Sequence, residues 1–154
     1  MRYWKGLSPG WYMPALLAVC LAGLTGCGSS GESQLPVEGK VWLGEKPLTT
    51  GAVILRPDAA KGNTSKHEPR GKIDAEGKYQ VMTALREGAP PGWYKVGVIA
   101  TEAIDPKNPY SPRRTVIPTK YNDPAEAGLS FEVVPTPPVG QYDLKLDPKA
   151  QSKE

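Results

Sequence analysis

At 154 residues and a formal net charge of +3, the chain has room for one domain and little beside it. Its seventeen glycines and seventeen prolines make 34 of 154 residues, against roughly 12% in average usage, and interrupt the chain too often for a helical bundle. Arg2 and Lys5 are the only charges before residue 27; the remainder of the chain carries 17 basic against 16 acidic groups, which leaves no electrostatic footprint for nucleic acid.

In chain order, the positive start leads into Ala15–Leu24, an apolar, uncharged run of about ten residues. That is the length of the apolar region of a signal peptide and too short to cross a bilayer. Leu24-Thr25-Gly26-Cys27 comes next, then the polar stretch Gly28-Ser29-Ser30-Gly31-Glu32-Ser33-Gln34. Charge, apolar run, two small residues and cysteine, in this order, resemble the signal and lipobox of bacterial lipoproteins. The resemblance implies cleavage before Cys27, diacylation of its thiol, fatty acylation of the new amino terminus, and attachment to a membrane of the bacterial envelope. Because Gly28 rather than Asp stands after the cysteine, it implies the outer membrane. Cys20 then leaves with the signal and Cys27 is modified, so the mature chain keeps neither a disulfide nor a thiol nucleophile. The expected divisions are a signal peptide over 1–26, a lipidated cysteine and linker over 27–35, a folded domain over 36–146, and a polar tail over 147–154.

From Cys27 onward 44 of 128 residues are apolar, lean but enough for a two-layer core. Val37, Gly39, Val41 and Leu43 alternate with Glu38, Lys40 and Trp42, the period of a half-buried strand. Gly44–Pro47 turns the chain into Ala52–Arg56, and the polar residues 58–69 read as an exposed, mobile loop. Arg70–Ile73 and Lys78–Thr83 flank Asp74-Ala75-Glu76-Gly77, a hairpin turn in which Asp bonds its own backbone and Gly supplies positive φ. Pro90-Pro91-Gly92 launches Trp93–Thr101; a long connection with five prolines spans 102–127. Leu129, Phe131 and Val133 alternate again, as do Tyr142, Leu144 and Leu146. The pattern predicts an all-β, seven-stranded antiparallel Greek-key β-sandwich.

Six pieces in order carry a second resemblance: Val37–Val41, Gly44–Leu48, Gly51–Pro57, Asp74–Tyr79, Pro91–Val96, and Ile117–Asp123 with Gly128–Val133. Together they are similar to the carboxypeptidase-regulatory-like, transthyretin-like (Ig-like) β-sandwich found in bacterial envelope lipoproteins, over about residues 36–146. The resemblance implies a fold and a non-catalytic module. It leads us to expect a non-enzymatic, lipid-anchored binding or scaffolding domain without a cofactor, whose partner is an envelope protein or polysaccharide.

The inventory of reactive side chains agrees with that expectation. His67 is the sole histidine and sits in the polar segment Thr64–Pro69, so a triad or a His-rich zinc site would rest on it alone. Asp74 and Glu76 read first as turn residues and only second as calcium ligands. Asn63-Thr64-Ser65 matches a glycosylation pattern of no expected consequence in a bacterium.

Period two separates inner from outer residues. With Val41, Val53, Leu55, Tyr79, Val81, Tyr94, Val96 and Val98 inward, Trp42, Ile54, Met82, Trp93 and Ile99 face outward. Outward Trp42 and Trp93 could form a carbohydrate-stacking surface. Alternatively, Ile104, Tyr110, Val116, Ile117 and Tyr121 of the long connection fold across them, which we expect over a ligand surface.

Overall fold

The computed structural model describes residues 33–150; the predicted signal peptide and Cys27 lie outside the described residues. Among the described residues eleven strands form: β1 (Glu38–Leu43), β2 (Lys46–Pro47), β3 (Ala52–Pro57), β4 (Arg70–Ile73), β5 (Lys78–Thr83), β6 (Arg86–Glu87), β7 (Gly92–Ile99), β8 (Thr101–Ala103), β9 (Arg113–Thr115), β10 (Leu129–Val133) and β11 (Leu144–Leu146). The seven strands legible in the sequence are the seven of the main path, ordered β10-β7-β3-β4-β5-β1-β11. Strands β3, β4 and β5 succeed one another as hairpins and β7 returns to lie beside β3, which is the Greek-key order. Every pairing is antiparallel except β1 with β11, where Val41, Trp42 and Leu43 run alongside Leu144, Lys145 and Leu146.

The sheet curls until its ends approach. The Phe131 ring of β10 lies 4.9 Å from that of Tyr142, which leads into β11, and the Gln141 amide donates to the Glu132 carbonyl at 2.6 Å. The fold is therefore an all-β sandwich with its core between the two halves of one curled sheet. All eight side chains assigned inward by period two are buried to 3% exposure or less. Tyr79 sends its hydroxyl through this core to the Tyr142 carbonyl at 2.5 Å, joining β5 to the β11 side. Gly39 makes that approach possible: a Cβ there would collide with the same Tyr142 carbonyl.

Two expectations need correction. Residues 58–69 are exposed over most of their length, as expected, but the loop is pinned at three buried residues, Asp58, Asn63 and Pro69. Asp58 is 6% exposed; its N–H donates to the Trp93 carbonyl at 3.0 Å, and its carboxylate accepts from the Ala60 N–H at 3.2 Å, capping a single 3-10 turn over Ala59–Lys61. Asn63 is also buried, and Pro69 is fully buried with its carbonyl accepting from the Leu55 N–H. Ordering here comes from hydrogen bonds to backbone groups that need partners, a route that apolar counting overlooks.

The side chains expected to fold across the tryptophans go to other places. Its first half is a separate hairpin of β8 and β9, held by Arg114 on Glu102 at 2.5–2.8 Å and by Arg113 on Thr101 at 2.9 Å, with Ile104 and Tyr110 left 62% and 91% exposed. Its second half packs elsewhere. Ile117, Tyr121 and Ala127 join the core, and the Tyr121 hydroxyl accepts from the Asp147 N–H at 2.9 Å. Pro124 lies so close over Gly97 that a Cβ there would meet its ring at 2.9 Å, and Asp123 pairs with Arg56 at 3.0 Å. Ile54, directly across from Gly97, is buried to 9% although it lies on the outer face. Val116 is half-buried against the core.

Candidate functional site

Trp93 stands second in β7, immediately after Gly92 turns the chain at φ +132°. Its backbone carbonyl accepts two donors from the 58–69 loop: the Asp58 N–H and the Asn63 side-chain amide at 2.9 Å. Asn63 completes the clamp by accepting from the Ser65 N–H at 3.1 Å. A side-chain amide is the fitting group, because it offers a donor and an acceptor at once. With its amide so engaged, Asn63 of the glycosylation pattern is not presented for modification.

The clamp sets the loop beside the indole. Lys61 places its ammonium 3.5 Å from the Trp93 ring centroid, within cation–π distance. A cleft of about 340 Å³ opens here, lined by Ser33, Lys61, Asn63, Ser65, Trp93 and Glu132 among others. Its chemistry is an aromatic floor flanked by an ammonium, a carboxylate and hydroxyls.

Trp42 is a separate place. It lies near the end of β1 between Pro47 and Lys145 on neighbouring strands, half-buried, with the Lys40 ammonium 4.6 Å from its ring. Strands β1 and β7 run in the same direction, and Trp42 is late in the first while Trp93 is early in the second. Trp42 is not among the residues lining the Trp93 cleft. The two tryptophans therefore do not form one stacking platform, and a lysine ammonium lies over each ring.

The remaining candidates serve the fold. Asp74 accepts from the Glu76 and Lys78 N–H groups at 2.9 and 2.8 Å, and Gly77 sits at φ +80°, the turn its spacing suggested. His67 is exposed in the 58–69 loop. Among the described residues no group of three or more His, Cys, Asp or Glu side chains gathers where it could hold a metal ion. Tyr79 is the one strongly perturbed titratable group among the described residues: burial first, then Asp143 and Tyr142, push its phenol far above the usual range, so it stays a protonated donor. Among the described residues no helix is long and apolar enough to cross a membrane. Composition signalled the tryptophans but not Lys61, Asn63 or Asp58, whose roles depend on a loop and a strand thirty residues apart.

Compared with the profiles of known protein families, with curated proteins and with solved structures, the chain matches none.

Proposed function

We propose that this chain is a lipid-anchored, non-enzymatic β-sandwich of the bacterial envelope, outer-membrane in location, with a binding or scaffolding role of the carboxypeptidase-regulatory-like, transthyretin-like kind. The observation that carries the reading is Leu24-Thr25-Gly26-Cys27, eight residues ahead of Leu35, whose backbone makes the first pairing of the sandwich, with Ala89. What supports a binding rather than a catalytic role is the use already made of the polar groups: Asp58 and Asn63 clamp a loop, Asp74 makes a turn, and Tyr79 ties two strands. Two acyl chains suffice for stable attachment, where one does not.

Cys27→Ala tests this reading. The variant should lose lipid attachment and accumulate as uncut precursor in envelope fractions. Normal processing together with unchanged membrane retention would overturn it.

A second reading, a carbohydrate-binding module, is favoured by the polar groups around the Trp93 indole. It needs Lys61 to swing off the ring and make way for a sugar face, and it assigns Trp42 no share in that cleft. Trp93→Ala should then abolish retention on envelope oligosaccharides while Trp42→Ala leaves it intact; equal retention of all three proteins would exclude it.

A further inference from the structure

The strand directions define two ends of the sandwich, and one of them gathers features the fold does not use. Strands β3, β5 and β10 run toward this end; β1, β4, β7 and β11 run away from it. It therefore holds residue 35 at the start of the domain, the 58–69 loop, the β5–β6 turn, and the loop over 134–141.

The β5–β6 turn has two residues, Ala84 and Leu85, between the paired Thr83 and Arg86. Ala84 holds φ +55°, the only positive φ of a non-glycine among the described residues, where tight hairpins usually place Gly or Asn. This strained backbone raises Leu85, 94% exposed, at the apex. The turn is fixed beside the start of the domain: the Thr83 hydroxyl donates to the Gly88 carbonyl, and Gly88 lies directly against the Leu35 backbone. On the other side of that start, Val134-Pro135-Thr136-Pro137-Pro138-Val139-Gly140-Gln141 is an uncharged loop, exposed from 135 to 140, with Val139 fully exposed.

Around these two apolar prominences stand exposed Lys61, Lys66, Arg70 and Arg86. Among them also stand exposed Glu38 at the start of β1, exposed Glu87, the half-buried Glu132, and Glu68, which is already held by Arg56 and Arg70. Eight residue steps separate Cys27 from Leu35, and they span at most about 28 Å. An acylated Cys27 thus tethers the sandwich to the bilayer by this end, the one opposite the β8–β9 hairpin.

We infer that this end is a membrane-docking face, with Leu85 and the Val139 loop seated in the interfacial layer and the surrounding cations over anionic phospholipid headgroups. The inference rests on the lipid-anchor reading and adds an orientation to it. Exposed apolar side chains among basic ones are what an anionic bilayer surface recognises, and docking supplements the acyl chains. The β8–β9 hairpin, with Tyr110, then points away from the membrane.

The test uses the full chain, purified with its acyl groups and reconstituted into phosphatidylethanolamine–phosphatidylglycerol vesicles. Leu85→Cys, Val139→Cys and Tyr110→Cys each place one thiol at a fully exposed site, and acylation blocks Cys27 itself. Each protein is labelled with an environment-sensitive nitrobenzoxadiazole dye and titrated with lipids spin-labelled near the headgroup. The labels at 85 and 139 should be quenched at least twofold more than the label at 110, and Leu85→Asp should reduce quenching at 139. Equal quenching at all three sites of an acylated protein would overturn the docking face and leave the anchor standing. A protein whose intact mass shows no acyl group would overturn the anchor, and the docking face with it.

Discussion

Replacing Asn63 by Ala separates a loop that is held from one that merely connects. Asn63 is 7% exposed and makes two hydrogen bonds, one donated to the Trp93 carbonyl at 2.9 Å and one accepted from the Ser65 N–H at 3.1 Å. Each is worth about 1 kcal/mol net. The Trp93 carbonyl keeps the Asp58 N–H at 3.0 Å, so the substitution does not orphan it. The expected loss is thus about 2 kcal/mol, not the larger penalty of a buried group left without any partner. At a denaturant slope of about 2 kcal/mol/M, the urea midpoint should fall by about 1 M. Trp93 reports the event directly, since loosening the loop lifts Lys61 from its ring and changes the indole emission before global unfolding. Asn63→Asp should cost more at neutral pH, because it keeps the acceptor for Ser65 but turns a carboxylate oxygen toward the Trp93 carbonyl. Its protonated form can donate to that carbonyl, so the native state raises its pKa; the extra cost should shrink as pH falls into the carboxylate range. An Asn63→Ala midpoint within about 0.2 M of the parent would refute the clamp and restore the mobile loop.

The same packing sets other expected outcomes. Val96→Ala, at 0% exposure in mid-β7, should cost about 1.5–3 kcal/mol in equilibrium denaturation through lost burial and the cavity left. Ala84→Gly should raise stability by up to about 1 kcal/mol in the same assay, because it releases the positive φ of the β5–β6 turn; a loss would show that the strain is compensated locally. Replacing residues 104–112 by a short turn should change the melt little and leave tryptophan emission unmoved, since Ile104 and Tyr110 are exposed. Tyr121→Ala should instead cost about 3–5 kcal/mol, losing a core ring and the hydroxyl that receives the Asp147 N–H.

How far the sequence could be read depends on which forces leave a periodic mark. A strand with one buried face writes its orientation every second residue, and Tyr94, Val96 and Val98 could be placed inward on that basis alone. The Asp74–Gly77 turn was legible because its chemistry is local. Ile54 obeys the same period and lies on the outer face, yet it is buried beside Gly97, the glycine that Pro124, seventy residues away, packs against. The 58–69 loop misled because its order comes from Asp58 and Asn63, polar residues that composition assigns to solvent. The connection over 102–127 misled in the opposite sense: its Ile and Tyr residues look like one cover, yet Ile104 and Tyr110 protrude while Ile117 and Tyr121 enter the core. Its first half folds as a hairpin through the β8–β9 backbone ladder, with Arg113 and Arg114 bonding across it, pairings that have no sequence period. At the candidate site, the tryptophans were visible and their lysines were not, because a cation–π contact between residues 61 and 93 exists only after the loop has closed.

A lipid anchor on the sandwich can be read from the mass of the amino-terminal peptide of the mature protein, isolated from the envelope of producing cells. The expected product is a chain that begins at Cys27 and carries a diacylglyceryl group on its sulfur, with a further acyl group on the new amino terminus. A chain that retains residues 1–26, or one cut elsewhere with Cys27 unmodified, would contradict it.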